Sequence, residues 1–317
     1  MTRVLVLGGG GYIGAAVVAA AQTRGWDVAL STRSDRQRAN ISGNPERFVG
    51  DDANPADIEN WAQSRDLIID AAAPYALTLT EKGLSRAQRI SAAKARMDGV
   101  LAAARRSGAA LVHVGSFVTV TTPGSVTDRA ARAAHPYFAM KYEMAAACLA
   151  AARMGQPVGL AAPTALFGPG DLRPDDQSFV GAVLTGLLQA APTRIINVLD
   201  VRDAAEGALA AFEKGWLGVP IPLSGHDIAA SDLGRLIAEL GGVRAPVAMP
   251  GLAVGAAAMV AAEYAAAAAG LRAQASLPAL LTLVATSAAI SPAQRAIGVA
   301  PRPLATTIAD EIAWRRR

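Results

Sequence analysis

The sequence predicts an α/β protein: a doubly wound parallel sheet followed by a smaller, mostly helical C-terminal lobe. Three observations carry that prediction. Short apolar, β-branched runs alternate with helical stretches through the first half of the chain. A glycine cluster follows the first run and opens the first helical stretch. After Phe167-Gly168-Pro169-Gly170 the strand-like runs become sparse, and helices, loops and short returns take over.

In chain order, strands are expected at Val4–Leu7, Asp27–Ser31, Arg47–Val49, Leu67–Asp70, Ala110–Val114 and Val158–Ala161. Helices are expected between them at Ile13–Arg24, Asp57–Ser64, Ile90–Ser107 and Pro136–Met154. This alternation is the pattern of a parallel sheet covered on both faces. Later returns are expected at Arg194–Asp200 and Pro220–Leu223. No internal repeat is visible, and runs such as Ala265–Ala269 read as helix filler.

The totals exclude several classes. Among 317 residues, 52% are hydrophobic, which suits a compact core and argues against disorder. The net charge of +4 is small for this length, and the arginines are scattered instead of gathered on one face. Nucleic acid is therefore not an expected partner. The basic tail Trp314-Arg315-Arg316-Arg317 reads as a solvated end. One cysteine, Cys148, forbids an internal disulfide and reads as a buried, inert thiol. His113, His135 and His226 lack metal-ligand spacing. The chain enters its first strand at Arg3, leaving no room for a signal peptide. The segment from Leu252 to Leu271 is mostly alanine and glycine and is broken by Glu263, so a buried or half-buried helix is expected there and no membrane span. A cytoplasmic location follows as the default.

Gly8, Gly11 and Gly14 give the spacing GxxGxxG between the first strand and the first helix. The chain must turn sharply there, and side chains would hold a pyrophosphate away from the backbone amides. The helix N-terminus then faces the phosphates with unpaired N–H groups, and Gly14 permits close packing on the sheet. A bare glycine-rich turn is the alternative, but the position directly after an N-terminal strand favours a dinucleotide. At the end of the second strand, Leu30-Ser31-Thr32-Arg33-Ser34 replaces the acidic residue of an NAD site. A guanidinium can pair with a 2′-phosphate, so Arg33 is the expected contact and NADP(H) the expected cofactor. Ser31, Ser34, Arg36 and Arg38 are its candidate helpers, and a solvated basic loop is the alternative. Asp51 is expected either to accept from the adenine amino group or to cap the helix beginning near Pro55.

Tyr137-Phe138-Ala139-Met140-Lys141 sets a phenol and an ammonium four residues apart, on one face of a helix. A nearby lysine favours the phenolate and makes such a tyrosine useful in proton transfer. The pair follows the fifth strand by one loop. That strand runs into His113-Val114-Gly115-Ser116-Phe117-Val118-Thr119. A hydroxyl at the carboxyl end of a parallel strand lies at the ligand crevice, so Ser116 is expected to hydrogen-bond a substrate carbonyl, with Thr119 in reserve.

With these residues in place, the chain resembles the extended short-chain dehydrogenases/reductases. That group holds sugar-nucleotide epimerases and dehydratases, dihydroflavonol-type reductases and 3β-hydroxysteroid dehydrogenases. Four landmarks match in order: the loop Gly8–Gly14, Asp51 after the third strand, the Ser116/Tyr137/Lys141 triad, and Pro163-Thr164-Ala165-Leu166-Phe167-Gly168-Pro169-Gly170. Val198–Asp203 resembles the family's later returning strand, and Ile297-Gly298-Val299-Ala300-Pro301 its terminal lobe. Four positions depart from the pattern. Ala162 stands where an arginine is frequent, Arg96 where an asparagine is usual, Phe167 replaces a tyrosine, and Gly115-Ser116 replaces a serine pair.

The resemblance implies a Rossmann-type nucleotide-binding lobe over residues 1–165 and a substrate lobe over 166–317, with 193–225 returning to the first lobe. It implies catalysis by Ser116, Tyr137 and Lys141. The cofactor contacts it implies are Gly8, Gly11, Tyr12, Ile13, Gly14, Thr32, Arg33, Ser34, Arg36, Asp51, Ala71, Ala72, Lys141, Pro163 and Leu166. The substrate is a small molecule, and a homodimer is the expected assembly of this family. Tyr75, Phe117, Phe138, Phe167, Leu172, Met249, Leu252, Met259 and Tyr264 either border the crevice, favouring an apolar ketone or aldehyde, or belong to the core. NADPH-dependent carbonyl reduction is the leading expectation. A nucleotide-sugar epimerase or dehydratase is the alternative, with Arg173, Arg194, Arg235 and Arg244 available for a diphosphate. A non-catalytic NADP-binding regulator is the third.

Overall fold

The structure, a computed structural model, describes residues 1–32, 41, 43–72, 85–120, 136–249, 265 and 288–317. Six strands alternate with helices in the first half: β1 (Arg3–Leu7), α1 (Tyr12–Thr23), β2 (Asp27–Thr32), β3 (Glu46–Val49), α2 (Pro55–Trp61), β4 (Leu67–Asp70), α3 (Arg86–Ser107), β5 (Ala110–Val114), α4 (Pro136–Arg153) and β6 (Val158–Pro163). Each strand and helix expected there is present, with ends moved by a few residues.

The second half adds β7 (Ala165–Phe167), α5 (Phe179–Leu184), β8 (Ala190–Pro192), β9 (Ile195–Asp200), α6 (Val201–Glu213), β10 (Pro220–Leu223), β11 (His226–Ala229), α7 (Ala230–Gly241), β12 (Val247–Met249), α8 (Pro292–Ala296) and α9 (Leu304–Arg315). The strands β7, β8, β11 and β12 carry no signal of their own in the sequence. They are three or four residues long, and pairing with neighbours defines them.

The main sheet has seven parallel strands in the order β10-β6-β5-β4-β1-β2-β3. The order reverses between β1 and β4, and a doubly wound sheet opens its ligand crevice at the carboxyl ends of those strands. Strands β1, β4 and β5 are buried on both faces, which is why they read as unbroken apolar runs. One face packs on α1 and α6 through Val17, Val18, Ala204 and Leu209. The other packs on α2, α3 and α4 through Ile58, Met97, Val100 and Met144. Cys148 lies in this second layer, 1% exposed, where burial pushes its thiol up and keeps it protonated. A three-stranded sheet, β11-β9-β7, and the pair β12-β8 build the second lobe around Phe167, Phe179, Ile196, Leu233 and Ile308. No described helix is long and apolar enough to cross a membrane.

Helix starts are set by local chemistry. Asn54 accepts from Ala56 N–H with Pro55 in the first turn of α2, and Asp200 accepts from Arg202 N–H at α6. The longest described helix, α3, starts with a full capping box: Ser85 Oγ accepts from Gln88 N–H at 3.2 Å, and Gln88 Oε1 accepts from Ser85 N–H at 2.8 Å. It ends on Gly108 with φ at +75°. Replacing Ser85 with Ala is therefore expected to cost about 1 kcal/mol. A lowered urea midpoint at unchanged slope is the check.

Candidate active site

The glycine loop is built around missing side chains. Gly8 has φ at +72°, and a Cβ on it would lie 2.8 Å from Ala72 Cα. A Cβ on Gly14 would lie 2.1 Å from the Gly8 carbonyl oxygen. The turn closes through Gly11 N–H donating to that same oxygen at 2.9 Å. Gly11 is the N-cap of α1 and offers no side chain to its first amides, and no acidic residue occupies the first turn. This cradle fits a dinucleotide pyrophosphate: backbone donors, a helix N-terminus and no side chain to exclude the phosphates. Ala71 donates its N–H to Leu7 O, which sets the segment after β4 beside the loop.

Ser31 departs from its expected role. Its hydroxyl is 1% exposed and accepts from Gly8 N–H at 2.9 Å, so it holds the glycine loop and is not turned toward a 2′-phosphate. Thr32 ends β2 and is buried. Arg33, Ser34, Arg36 and Arg38 lie outside the described residues. Asp51 is exposed and accepts from Ala53 N–H at 2.9 Å, while Asn54 caps α2; the capping alternative for Asp51 is thus corrected.

Helix α4 carries the phenol and the ammonium. Lys141 Nζ lies 5.9 Å from the centre of the Tyr137 ring, and Tyr137 is half-buried. Lys141 is 6% exposed and donates to Gly115 O at 3.4 Å, which sets the ammonium one residue from Ser116. Burial pushes Lys141 down to about 8. Ser116 follows β5 and precedes the 3-10 turn Phe117–Thr119. Thr119 Oγ1 donates to Ser116 O at 2.7 Å, which removes it as a reserve catalytic hydroxyl. Tyr142 Oη donates to Val118 O and ties α4 to this turn.

Two groups at the site were not singled out from the sequence. Asp70, fully buried at the end of β4, accepts from both Arg96 amino nitrogens at 3.2 and 2.7 Å and from His113 Nδ1 at 2.7 Å. Arg96 thus occupies the place of the family's asparagine as half of a buried ion pair. Burial works to raise the Asp70 carboxyl, but Arg96 and His113 outweigh it and hold it well below the usual range. The only hint in the sequence is a carboxylate ending a wholly apolar strand; its partners lie 26 and 43 residues away.

The second is Glu311 on α9. It is 2% exposed and accepts from Gly168 N–H at 2.8 Å, while Gly168 O accepts from Tyr12 Oη at 3.0 Å. Burial keeps the Tyr12 phenol protonated and donating. Tyr12 therefore joins the glycine loop to the second lobe as well as opening α1. Pro163 ends β6 and is buried, and Leu166 is half-buried in β7 opposite Leu199.

Among the residues left between crevice and core, two belong to the core. Phe138 is 1% exposed and Phe167 is 6% exposed, packed edge-on against Phe179 in the second core. Phe117 is half-buried, and Leu172 and Met249 are exposed. Tyr75, Leu252, Met259 and Tyr264 lie outside the described residues. Of the four arginines, Arg173 is bound to Asp171 and Arg235 to Asp232, while Arg194 and Arg244 are exposed.

Gly14→Ala is expected to weaken NAD(P)H binding by at least about tenfold, because either the Gly8 carbonyl or the helix must move. A fluorescence titration with reduced dinucleotide measures it. Glu311 supplies a stability prediction. Burial, assisted by Asp171, pushes its carboxyl from 4.5 up to about 7, with Gly168 N–H and Arg315 opposing. The folded state binds the extra proton, so stability falls as pH rises from 4.5 through about 7, on the order of 3 kcal/mol from this group. Glu311→Gln keeps an oxygen for Gly168 and cannot ionise. Melting temperatures between about pH 5 and 8 should flatten in that variant.

The comparisons with known proteins agree with this geometry. A family model described as "NAD dependent epimerase/dehydratase family" matches residues 4–219. A curated Synechocystis protein named "Putative dihydroflavonol 4-reductase" is 26% identical over 221 residues, 66% of this chain and 63% of its own length. The match thus spans less than two thirds of that relative. Among solved structures, the protein gox2253 has a TM-score of 0.80 at 24% identity, covering 100% of this chain and 98% of its own. A nucleoside-diphosphate-sugar epimerase from Pseudomonas aeruginosa has a TM-score of 0.75 at 23% identity, covering 99% and 97%. At these identities the two structures establish the Rossmann-type α/β fold. A family match across residues 4–219, on a seven-stranded sheet with the glycine cradle at its switch point, makes this chain a member of the NAD-dependent epimerase/dehydratase family, an enzyme family that works with a nicotinamide dinucleotide.

Proposed function

We propose that this protein reduces the carbonyl of a small, largely apolar ketone or aldehyde with NADPH, using Ser116, Tyr137 and Lys141. The observation that carries the proposal is the buried Lys141 ammonium, 5.9 Å from the Tyr137 ring and hydrogen-bonded beside Ser116. When bound, the dinucleotide would supply a hydride for the carbonyl carbon. Tyr137 delivers the proton to the carbonyl oxygen, and Lys141 stabilises the phenolate left behind. Ser116, whose hydroxyl has no partner among the described residues, donates to the same oxygen and shares its developing charge.

The preference for NADPH rests on the arginines after β2, with Arg33 foremost. The likeness to a protein named as a dihydroflavonol reductase supports the substrate class. Of the arginines available to a sugar diphosphate, Arg173 is paired with the buried Asp171, and Arg235 with Asp232 on the surface. The epimerase or dehydratase reading is the second, favoured by the family that the chain matches. There the dinucleotide is oxidised and reduced within one cycle and stays bound.

A panel of apolar ketones and aldehydes with NADPH and with NADH separates these readings. Turnover with NADPH is the expected result, together with a loss of at least about a hundredfold in Tyr137→Phe. No turnover across the panel, with NAD copurifying, would transfer the assignment to a nucleotide-sugar substrate. Turnover that survives Tyr137→Phe would remove the phenol from the mechanism.

A further inference from the structure

We propose that Asp70 is a positioning residue for the proton-transfer pair: its carboxylate locks Arg96 and His113 beneath the site and sets the charge that Lys141 feels. The proposal rests on the role given to Lys141 above and adds a group that no sequence motif marks.

The geometry is that of a hub. Arg96 reaches Asp70 from α3 with two nitrogens, and His113 reaches it from β5 with Nδ1. An ionised carboxylate only accepts, so Nδ1 carries the proton and neutral His113 presents Nε2 as an acceptor. Nε2 is buried and without a partner among the described residues, as is Arg96 Nε. Asp70 Oδ1 also accepts from Ala72 N–H at 3.3 Å, and Ala72 is the residue against which Gly8 closes. One carboxylate thus contacts the segment after β4 on which Gly8 closes, the strand β5 that ends two residues before Ser116, and the helix α3 that packs on α4.

The charged and titratable groups around Lys141 come from four elements: Asp70 on β4, Arg96 on α3, His113 on β5 and Tyr137 on its own helix. Behind burial, which lowers Lys141, Asp70 is the leading opposing influence and raises it, while Arg96 lowers it. Burial keeps His113 neutral despite Asp70, with Lys141 and Arg96 adding to that effect. Asp51 and Asp52 act on Arg96 as further anions. On this proposal Asp70 is the anion that offsets burial and Arg96 at Lys141, and without it the ammonium gives up its proton at lower pH.

The test reads Lys141 directly. Competitive labelling with an amine-specific acylating reagent across a pH series gives the titration midpoint of Lys141, whether or not any carbonyl is turned over. Failure of the reductase reading therefore leaves this readout intact. Asp70→Asn keeps an oxygen for His113 and Ala72 but removes the charge, and its Lys141 midpoint should fall by about one pH unit or more. The basic limb of kcat/KM should move with it. Because Asp70→Asn strands Arg96, the double variant Asp70→Asn/Arg96→Met provides a neutral core of similar volume. Its midpoint should also fall, by less, since the lowering cation has left too. An unshifted midpoint in a variant that melts cooperatively would overturn the proposal. A merely structural Asp70 would lower the melting temperature and leave the midpoint where it is.

Discussion

Everything at this site depends on an empty space beside the Gly8 carbonyl. A side chain at Gly14 would intrude to 2.1 Å from that oxygen, and one at Gly8 to 2.8 Å from Ala72. Because both are absent, β1 turns into α1 within four residues and the segment after β4 closes on the turn. The Ser31 hydroxyl on Gly8 N–H fastens the loop from β2. β2 and the segment after β4 are thereby held to the turn that follows β1, and the first amides of α1 are left without a side-chain cap.

How much of this was legible in the sequence follows from how each part is stabilised. Strands buried on both faces must be apolar throughout, so Leu67-Ile68-Ile69 and Ala110–Val114 announce themselves. The short strands of the second lobe do not. Val247–Met249 is exposed along its length, and Ala190–Pro192 consists of two alanines and a proline; only pairing with each other makes them strands. The glycine loop and the Tyr137/Lys141 pair were readable because their chemistry sits within one turn of chain. Asp70 was not, because a carboxylate ending a strand reads as a cap until Arg96 and His113 are brought to it. Phe138 and Phe167 stayed open between pocket wall and core because an aromatic ring serves either, and burial settles both as core.

The replacement of the family's asparagine by Arg96 gives the buried charges a logic. A guanidinium at 6% exposure cannot stand alone beneath a lysine at the same exposure. Asp70 offsets it, with a bidentate contact that fixes the geometry of both. Such a pair contributes little to stability against well-packed apolar residues, since the desolvation of both ions opposes their attraction. Through His113 its carboxylate also holds β5, the strand two residues before Ser116.

A comparable economy joins the two lobes. Gly168 has φ at +119°, and a Cβ there would press on the Asp200 carboxylate at 3.3 Å. Its N–H goes to Glu311 and its carbonyl receives Tyr12, so the backbone of one residue links the terminal helix to the first turn of α1. Arg315 bonds Glu311, Asp171 and Ser178, anchoring the carboxylate's helix to the loop that follows Gly168. With a phenylalanine at 167 in place of the family's tyrosine, that side chain turns into the second core against Phe179 and not toward a ligand. The backbone at 168 then carries the coupling. The Glu311 carboxylate is thus two hydrogen bonds from Tyr12, the residue that opens α1 beside the glycine loop.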